Sequence, residues 1–468
     1  MNIAISGIGL ATAQGSSGDI RAGETPHPPE GLPWKANGSN ISQICFRARG
    51  LDSALSGAER LRALAHKALA DLGEISVNTP LLIGSCNGAS LQSWEQSFDT
   101  NVLFHGTQWS NGPVFSSSCA SGVHALYAAK QLLSAGAVDE ALVLAVDVLS
   151  KSNHENFESL RVLAEKPSAP WQSNSNGFIL GEAAVVLKLT RAGSDDQLLV
   201  SGPELGSDLA EHDGLTDVLE NLSFEKPSLI LGQGTGPFQN DTNELAALAA
   251  FVEKTVPLAT PLVTFGHSLG ASSLLSIALG ALGHRASRSF LTSPSRVASD
   301  GRPLSSDSWT AGDVLTICRA LNGACAATLV GGRAVANTRR RRLSWRKPSK
   351  PEVLMNPTLR VLAAEAFAHR PPEPPDVLIL RLEKPLSPPP AAIIGGRLLP
   401  SAVLEITPGF ASQLIARRWG FSGPALCLVG DPDAEVYGLK SALRESDLNV
   451  FQVNLRGSGD NRASEWNV

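Results

Sequence analysis

The sequence predicts an α/β protein built of repeated strand–helix–strand units, with a shorter, partial unit of the same kind at its end. Three observations carry this. Gly112–Asp147, GPVFSSSCASGVHALYAAKQLLSAGAVDEALVLAVD, reads as a small-residue strand, a helix and a second strand. Apolar runs at Ile3–Gly9, Pro80–Gly84, Ala141–Val146 and Ser228–Gly232 alternate with helical patterns. A late stretch, GPALCLVGDPDAEVYGLKSALRESDLNVFQVNLRG, lines up loosely with the first, Gly423-Pro424 on Gly112-Pro113 and Gly430 opposite Cys119.

Bulk properties set the limits. A chain of 468 residues has length for two or three domains, and 43% hydrophobic residues supply a sizeable core. A net charge of −5 argues against nucleic acid as the main partner. Six cysteines without C-x-x-C spacing argue against a zinc site or a disulfide framework and suit a reducing cytoplasm. No uninterrupted apolar run is long enough for a membrane span. MNIAISGIGLATAQG lacks a basic flank and reads as a first strand, not a signal peptide.

In chain order, Ile3–Gly9 is a strand entering a glycine turn, and residues 16–50 are mostly loop. Leu51–Leu72 is a helix candidate, with Leu61, Leu64, Ala65, Ala68 and Leu72 on one side. Val114–Ser118 is a strand, Ala120 to Ser134 a helix stopped near Gly136, and Ala141–Val146 a strand covered on both faces. Cys119 therefore sits where a strand ends and a helix begins. The helix dipole and free N–H groups there favour a thiolate, so the thiol pKa is expected to fall. Ser117, Ser118, Ala120, Ser121 and Gly122 leave room for a substrate; a buried structural cysteine is the plain alternative. Pro170–Leu189 carries GFILGE, with Glu182 expected to be a satisfied structural carboxylate. Residues 190–198 connect to a second run: a strand at Ser228–Gly232, a helix at Thr242–Glu253, a strand at Pro261–Phe265, a turn at GHSLGAS, a helix at Ser272–Leu282, and a closing loop and strand within Val314–Val330. Arg339–Arg342, Arg346, Lys347 and Lys350 form a basic linker, read either as solvated or as a dock for an acidic partner.

The segment SSSCASGVHALYAAKQLLSAG resembles the nucleophile segment of the β-ketoacyl synthases, condensing enzymes of fatty-acid and polyketide synthesis. GFILGE keeps the spacing of that family's GF-x-x-GE-x-A strand, PLVTFGHSLGASS resembles its GH-x-x-G-A segment, and GQGTGPFQND its H-G-T-G-T motif. The resemblance covers about residues 2–330. It implies a thiolase-like, five-layer αβαβα fold of two βαβ-rich halves, at 1–190 and 191–330, then a linker at 331–350 and a degenerate partial unit at 351–468. That last unit is expected to pack on the first domain or on a partner. The resemblance also implies Cys119 as acyl acceptor and His267 as a catalytic donor, with Phe178, Leu321 and Gly323 at substrate, Leu321 standing where the family has a gating Phe. It implies acyl carrier protein as partner, homodimeric or heterodimeric assembly with a second ketosynthase-like subunit, no cofactor, no metal and a cytoplasmic protein.

Two positions depart from the family. Gln233 stands where the first His is expected, and Leu262 where a Lys is expected. An amide donates a hydrogen bond but carries no proton charge, so acyl transfer is expected to survive with condensation impaired. Asp241 and Glu244 keep the acidic pair that follows the motif. A non-catalytic chain-length-factor-like partner is a second reading. A third is a serine α/β-hydrolase, with Ser268 in Gly266-His267-Ser268-Leu269-Gly270 as nucleophile and His369 or His284 as base.

Overall fold

The computed structural model describes residues 3–467 except 23–25, 32–43, 87–102, 194–197, 210–212, 287–290, 292–296, 305–311, 333–344, 350–353, 384–385, 387–392, 395–396, 399–401, 403–404, 431–435, 457–462 and some isolated positions. The Arg339–Arg342 cluster and Lys350 lie outside the described residues.

The strands are β1 Ile3–Ala11, β2 Glu30–Gly31, β3 Ile44–Cys45, β4 Leu81–Gly84, β5 Val114–Phe115, β6 Glu140–Asp147, β7 Ala183–Arg191, β8 Leu199–Ser207, β9 Leu229–Leu231, β10 Leu258–Ala259, β11 Val314–Arg319, β12 Ala324–Gly331, β13 Val377–Leu382, β14 Ile393–Ile394, β15 Arg397–Leu398, β16 Ala425–Val429, β17 Val450–Arg456 and β18 Ala463–Asn467. Fourteen of them form one sheet in the order β10-β9-β11-β12-β8-β1-β7-β6-β4-β5-β16-β13-β17-β18.

That order repeats. In β1, β4, β5, β6 and β7 the five strands run third-second-fourth-fifth-first across the sheet, and β8 to β12 run in the same order. Within each run the second strand is parallel to the third and fourth, and the fifth is antiparallel to its neighbours. The two runs meet where β1 pairs antiparallel with β8. The last four strands continue the pattern: β13 is parallel to β16 and β17, and β18 is antiparallel to β17. They reproduce the order third-second-fourth-fifth without a first strand. They join the rest through β16, which pairs antiparallel with β5 at Leu428–Phe115 and Val429–Val114.

The core follows from the residue pattern. β6 and β7 are apolar on both faces because helices cover them. On one side the helix Gly57–Leu72 buries Leu61, Leu64, Ala65, Ala68 and Leu69. On the other, the helices Ser121–Ser134 and Ser272–Ala286 bury Ala125, Leu126, Leu132, Leu274 and Ile277. The helix Ser121–Ser134 is buried along nearly its whole length, which its small residues permit. Trp419, on the helix Pro408–Trp419, anchors a separate apolar cluster with Leu380, Leu414, Phe421 and Phe451 in the last four strands.

Three local expectations change. Leu262–Phe265 is a short helix, not a strand: its N-cap is Pro261, and Gly266 at φ 74° ends it. The helix expected over 242–253 starts earlier, at Phe238, and ends at Phe251. Residues 16–50 include a helix at Ser17–Ala22 and the β2–β3 pair. Among the described residues no helix is long and apolar enough to cross a membrane.

Candidate active site

Cys119 closes the turn between β5 and the helix Ser121–Ser134. Ser118 takes a positive φ of 51°, an unfavourable value for a residue with a Cβ. Ser121 holds the turn: its Oγ accepts from the Ser117 N–H at 2.9 Å and donates to the Ser118 carbonyl at 2.6 Å. Gly122 lets the helix approach β6 and Leu274, since a Cβ there would lie 2.9 Å from the Cβ of each of Ala145 and Leu274.

His267 comes from the second run, and the GFILGE segment places it. The His267 N–H donates to the Ile179 carbonyl at 2.7 Å and the Gly181 N–H to the His267 carbonyl at 2.9 Å. The Phe178 ring stacks on the imidazole, with centroids 4.5 Å apart and an interplanar angle of 26°. Phe157 meets Phe178 edge-on at 5.5 Å. Nε2 of His267 lies 3.1 Å from the Cys119 sulfur. On the other ring nitrogen, Nδ1 accepts from the Leu269 N–H at 3.2 Å. An acceptor at Nδ1 puts the neutral ring's proton on Nε2, so His267 donates toward sulfur.

The backbone N–H groups of Leu321 and of Cys119 itself act to lower the thiol pKa. Leu321 lies in the turn between β11 and β12, which Gly323 closes at φ 93°. Nevertheless, burial pushes the Cys119 thiol up to about 12, against these donors and with Asp147 adding to the rise. The expected fall is corrected: nearby N–H groups do favour the thiolate, but loss of water around it outweighs them. Burial likewise lowers His267 to about 4, so the ring is neutral. The site is thus poised as a thiol with the His267 donor 3.1 Å away.

Gln233 begins the loop after β9. Glu244 accepts its N–H at 2.6 Å, the Gly234 N–H at 3.0 Å and the Trp171 indole N–H at 2.9 Å. Asp241 accepts the Trp171 N–H at 2.6 Å and the Gly236 N–H at 2.9 Å. The acidic pair therefore fastens this loop to the Pro170–Trp171 turn. Burial raises Asp241 to about 6 and Glu244 to about 7. The Gln233 side chain is buried and its Nε2 has no hydrogen-bond partner. Leu262 joins an apolar cluster with Phe157, Phe178, Leu180 and Leu269, against which Leu321 packs. Glu182 forms a buried ion pair with Arg60 and accepts the Ala48 N–H at 2.9 Å, a structural task.

Asp147 was not singled out from sequence. It ends β6 and accepts from Ser85 Oγ at 2.7 Å, the Cys86 N–H at 2.9 Å and the Gly270 N–H at 2.8 Å. It ties the loop after β4 to the turn carrying His267. A carboxylate closing the apolar run Ala141–Val146 was the available signal.

The hydrolase constellation is not assembled. Ser268 Oγ lies 3.3 Å from Ser272 Oγ, while His284 Nδ1 bonds the Gly312 carbonyl and His369 Nδ1 the Glu365 carbonyl. Among the described residues no group of His, Cys, Asp or Glu could hold a metal ion.

Residues 111–193 match the family described as "Beta-ketoacyl synthase, N-terminal domain". The protein named "Putative polyketide beta-ketoacyl synthase 1" of Streptomyces virginiae is 28% identical over 196 residues, 36% of this chain and 47% of that protein. The chain thus matches about half the length of that relative. Among solved structures, the "PfaC Keto synthase-Chain length factor" superposes with a TM-score of 0.75 at 12% identity, covering 98% of this chain and 74% of that one. The "Ketosynthase (ApeO) in Complex with its Chain Length Factor (ApeC)" from Xenorhabdus doucetiae gives 0.55 at 19% identity, covering 70% and 98%. A ketosynthase in complex with an acyl-carrier protein (AntDE:AntF) gives 0.54 at 16% identity, covering 71% and 99%. These likenesses establish the thiolase-like ketosynthase fold.

Proposed function

Starting from a chain that is a ketosynthase-like protein, we propose that it takes an acyl group from an acyl-carrier-protein thioester onto Cys119, within polyketide or fatty-acid biosynthesis. One observation carries this reading: the Cys119 sulfur lies 3.1 Å from His267 Nε2 at the start of the helix Ser121–Ser134. In the transfer a bond forms between the sulfur and the acyl carbon, the carrier's C–S bond breaks, and the thiol proton ends on the departing carrier sulfur. The Cys119 and Leu321 N–H groups then serve the thioester oxygen as it gains charge. Phe178 keeps the imidazole in register, and Gly323 shapes the loop that presents Leu321.

Condensation asks for more. Decarboxylating a malonyl-type extender places negative charge on its thioester oxygen. His267 supplies one donor for it, and the unpartnered Gln233 Nε2 supplies a second without positive charge. Leu262 adds no cation. We therefore place condensation well below acyl transfer in rate, consistent with loss of about 10²–10³ for one such donor. The partners in this reading are an acyl carrier protein and a ketosynthase-like subunit, and the setting is cytoplasmic. Of the basic linker, Arg346 pairs with Asp217 at 3.6 Å.

The second reading, a chain-length-factor-like partner without catalysis, draws on the thiol at about 12. Intact-mass spectrometry separates the two, using acyl and malonyl carrier-protein thioesters with the wild type and Cys119→Ala. A Cys119-dependent acyl adduct supports the transfer reading. A 3-oxoacyl product shows that Gln233 suffices for condensation. No adduct, even with a ketosynthase partner present, removes the transfer reading and leaves the partner reading.

A further inference from the structure

His267 donates toward the Cys119 sulfur only while its ring proton sits on Nε2. That choice is made at the other ring nitrogen, where Nδ1 accepts the Leu269 N–H at 3.2 Å. Leu269 presents its N–H from an unfavourable backbone conformation: its φ is 52°, although it carries a large side chain. A turn under that strain persists only where its neighbours fix it.

The next residue makes the fixing contact. The Gly270 N–H donates to Asp147 Oδ2 at 2.8 Å. The same oxygen accepts the Cys86 N–H at 2.9 Å, and Oδ1 accepts from Ser85 Oγ at 2.7 Å. The approach is close enough to require glycine. A Cβ on Gly270 would lie 2.5 Å from the Cys86 nitrogen, 2.7 Å from Asp147 Oδ2 and 3.0 Å from Ser121 Cβ. The turn carrying His267, the loop after β4 and the first turn of the nucleophile helix therefore meet at one point, on the Asp147 carboxylate.

The same carboxylate opposes a negative charge on the Cys119 sulfur. The other titratable groups beside the sulfur are His267, Cys86 and Cys318. Position and charge are thus two separable effects of one side chain, and they act on acyl transfer in opposite directions.

We propose that Asp147 is a positioning residue for acyl transfer: by holding the Gly270 N–H it fixes the turn whose Leu269 N–H keeps the His267 proton on Nε2, toward sulfur. The inference rests on the acyl-transfer reading. Asp147→Asn separates the two effects. Its carbonyl oxygen faces the Gly270 and Cys86 N–H groups, its amide donates to Ser85 Oγ, and the charge is gone. Asp147→Ala loses both the charge and the hold.

Two readouts on the full chain test this. One is the NMR shifts of the His267 ring nitrogens, assigned by their loss in His267→Ala; the other is acylation of Cys119 by an acyl carrier-protein thioester, read by intact mass. The wild type and Asp147→Asn are expected to carry the proton on Nε2, and Asp147→Asn to acylate at least as fast as wild type. Asp147→Ala is expected to place part of the proton on Nδ1 and to acylate about tenfold more slowly, the worth of one hydrogen bond. Asp147→Ser, polar but too short to reach the Gly270 N–H, carries the same expectation if Asp147→Ala does not fold. A wild-type proton on Nδ1 overturns the proposal. So does a short variant with the wild-type ring shifts and rate, or an Asp147→Asn slowed as much as the short variant. Absence of any adduct on wild-type Cys119 overturns the acyl-transfer reading, and the ring shifts then judge the hold of Asp147 on His267 by themselves.

Discussion

Gly409→Ala tests the seam between the last unit and the nucleophile strand with a single methyl group. In a helix, replacing Gly by Ala usually stabilises, by up to about 1 kcal/mol, because Gly loses the most backbone freedom on folding. At Gly409 the surroundings reverse that gain. The new Cβ would sit 2.6 Å from the Ser116 carbonyl oxygen and 2.6 Å from Ser117 Cα. Both are backbone atoms that cannot rotate aside, so either the helix or the nucleophile turn must move. Overpacking of this kind costs about 1–3 kcal/mol, leaving a net loss of roughly 0–2 kcal/mol after the helix gain. The control is Gly18→Ala in the helix Ser17–Ala22, where the new Cβ meets only Ser16 Oγ at an ordinary 3.5 Å. Urea unfolding of both variants gives the stabilities, and acylation of Cys119 gives the functional readout. Gly409→Ala is expected to be less stable than Gly18→Ala by about 1–3 kcal/mol and to acylate more slowly, because Ser117 lies two residues from the nucleophile. If Gly409→Ala gains stability as Gly18→Ala does and acylates at the wild-type rate, the helix does not bear on that strand.

Three more tests address the site. With the Cys119 thiol at about 12, alkylation by iodoacetamide is expected to rise about tenfold per pH unit from 7 to 10; a plateau below pH 9 contradicts the burial argument. His267→Ala removes the donor 3.1 Å from sulfur and is expected to slow acylation about 10²–10³-fold, whereas Cys119 acylating at the wild-type rate would take His267 out of the mechanism. His124, on the nucleophile helix, is held by burial at about 3 and has no partner for either ring nitrogen. The unfolded chain binds its proton near pH 6.5 and the folded chain does not, so its contribution is lost as pH falls below 6.5 and reaches about 2 kcal/mol at pH 5. His124→Leu is expected to recover that amount at pH 5 relative to pH 8, measured as the change in unfolding free energy against wild type; an equal effect at both pH values refutes it.

The nucleophile unit was legible because each of its pieces is local. Small residues, a cysteine, helical spacing and an apolar strand specify strand, turn and helix without reference to the rest of the chain. The weak correspondence of GPALCLVG with GPVFSSSC marked a related strand in the last unit, and the structure alone sets that strand beside β5 in one sheet. Signals that depend on distant residues were not legible. PLVTF reads as a strand by composition, yet Pro261 and the positive φ of Gly266 make it one turn of helix. The direction of the Cys119 shift depends on how deeply the turn is buried, and that is set by elements far apart in sequence. The same holds for Asp147, whose role exists only once other elements are laid against it.

Because β16 and β5 belong to one polypeptide, their pairing is a property of folding and not of encounter. Two separate subunits meet in proportion to their concentrations, exchange with other partners and come apart on dilution. A covalently joined pair sees an effective concentration in the millimolar range whatever its abundance. The ratio of nucleophile unit to covering unit is one to one in every molecule, and neither can be captured by a stranger while the seam is closed.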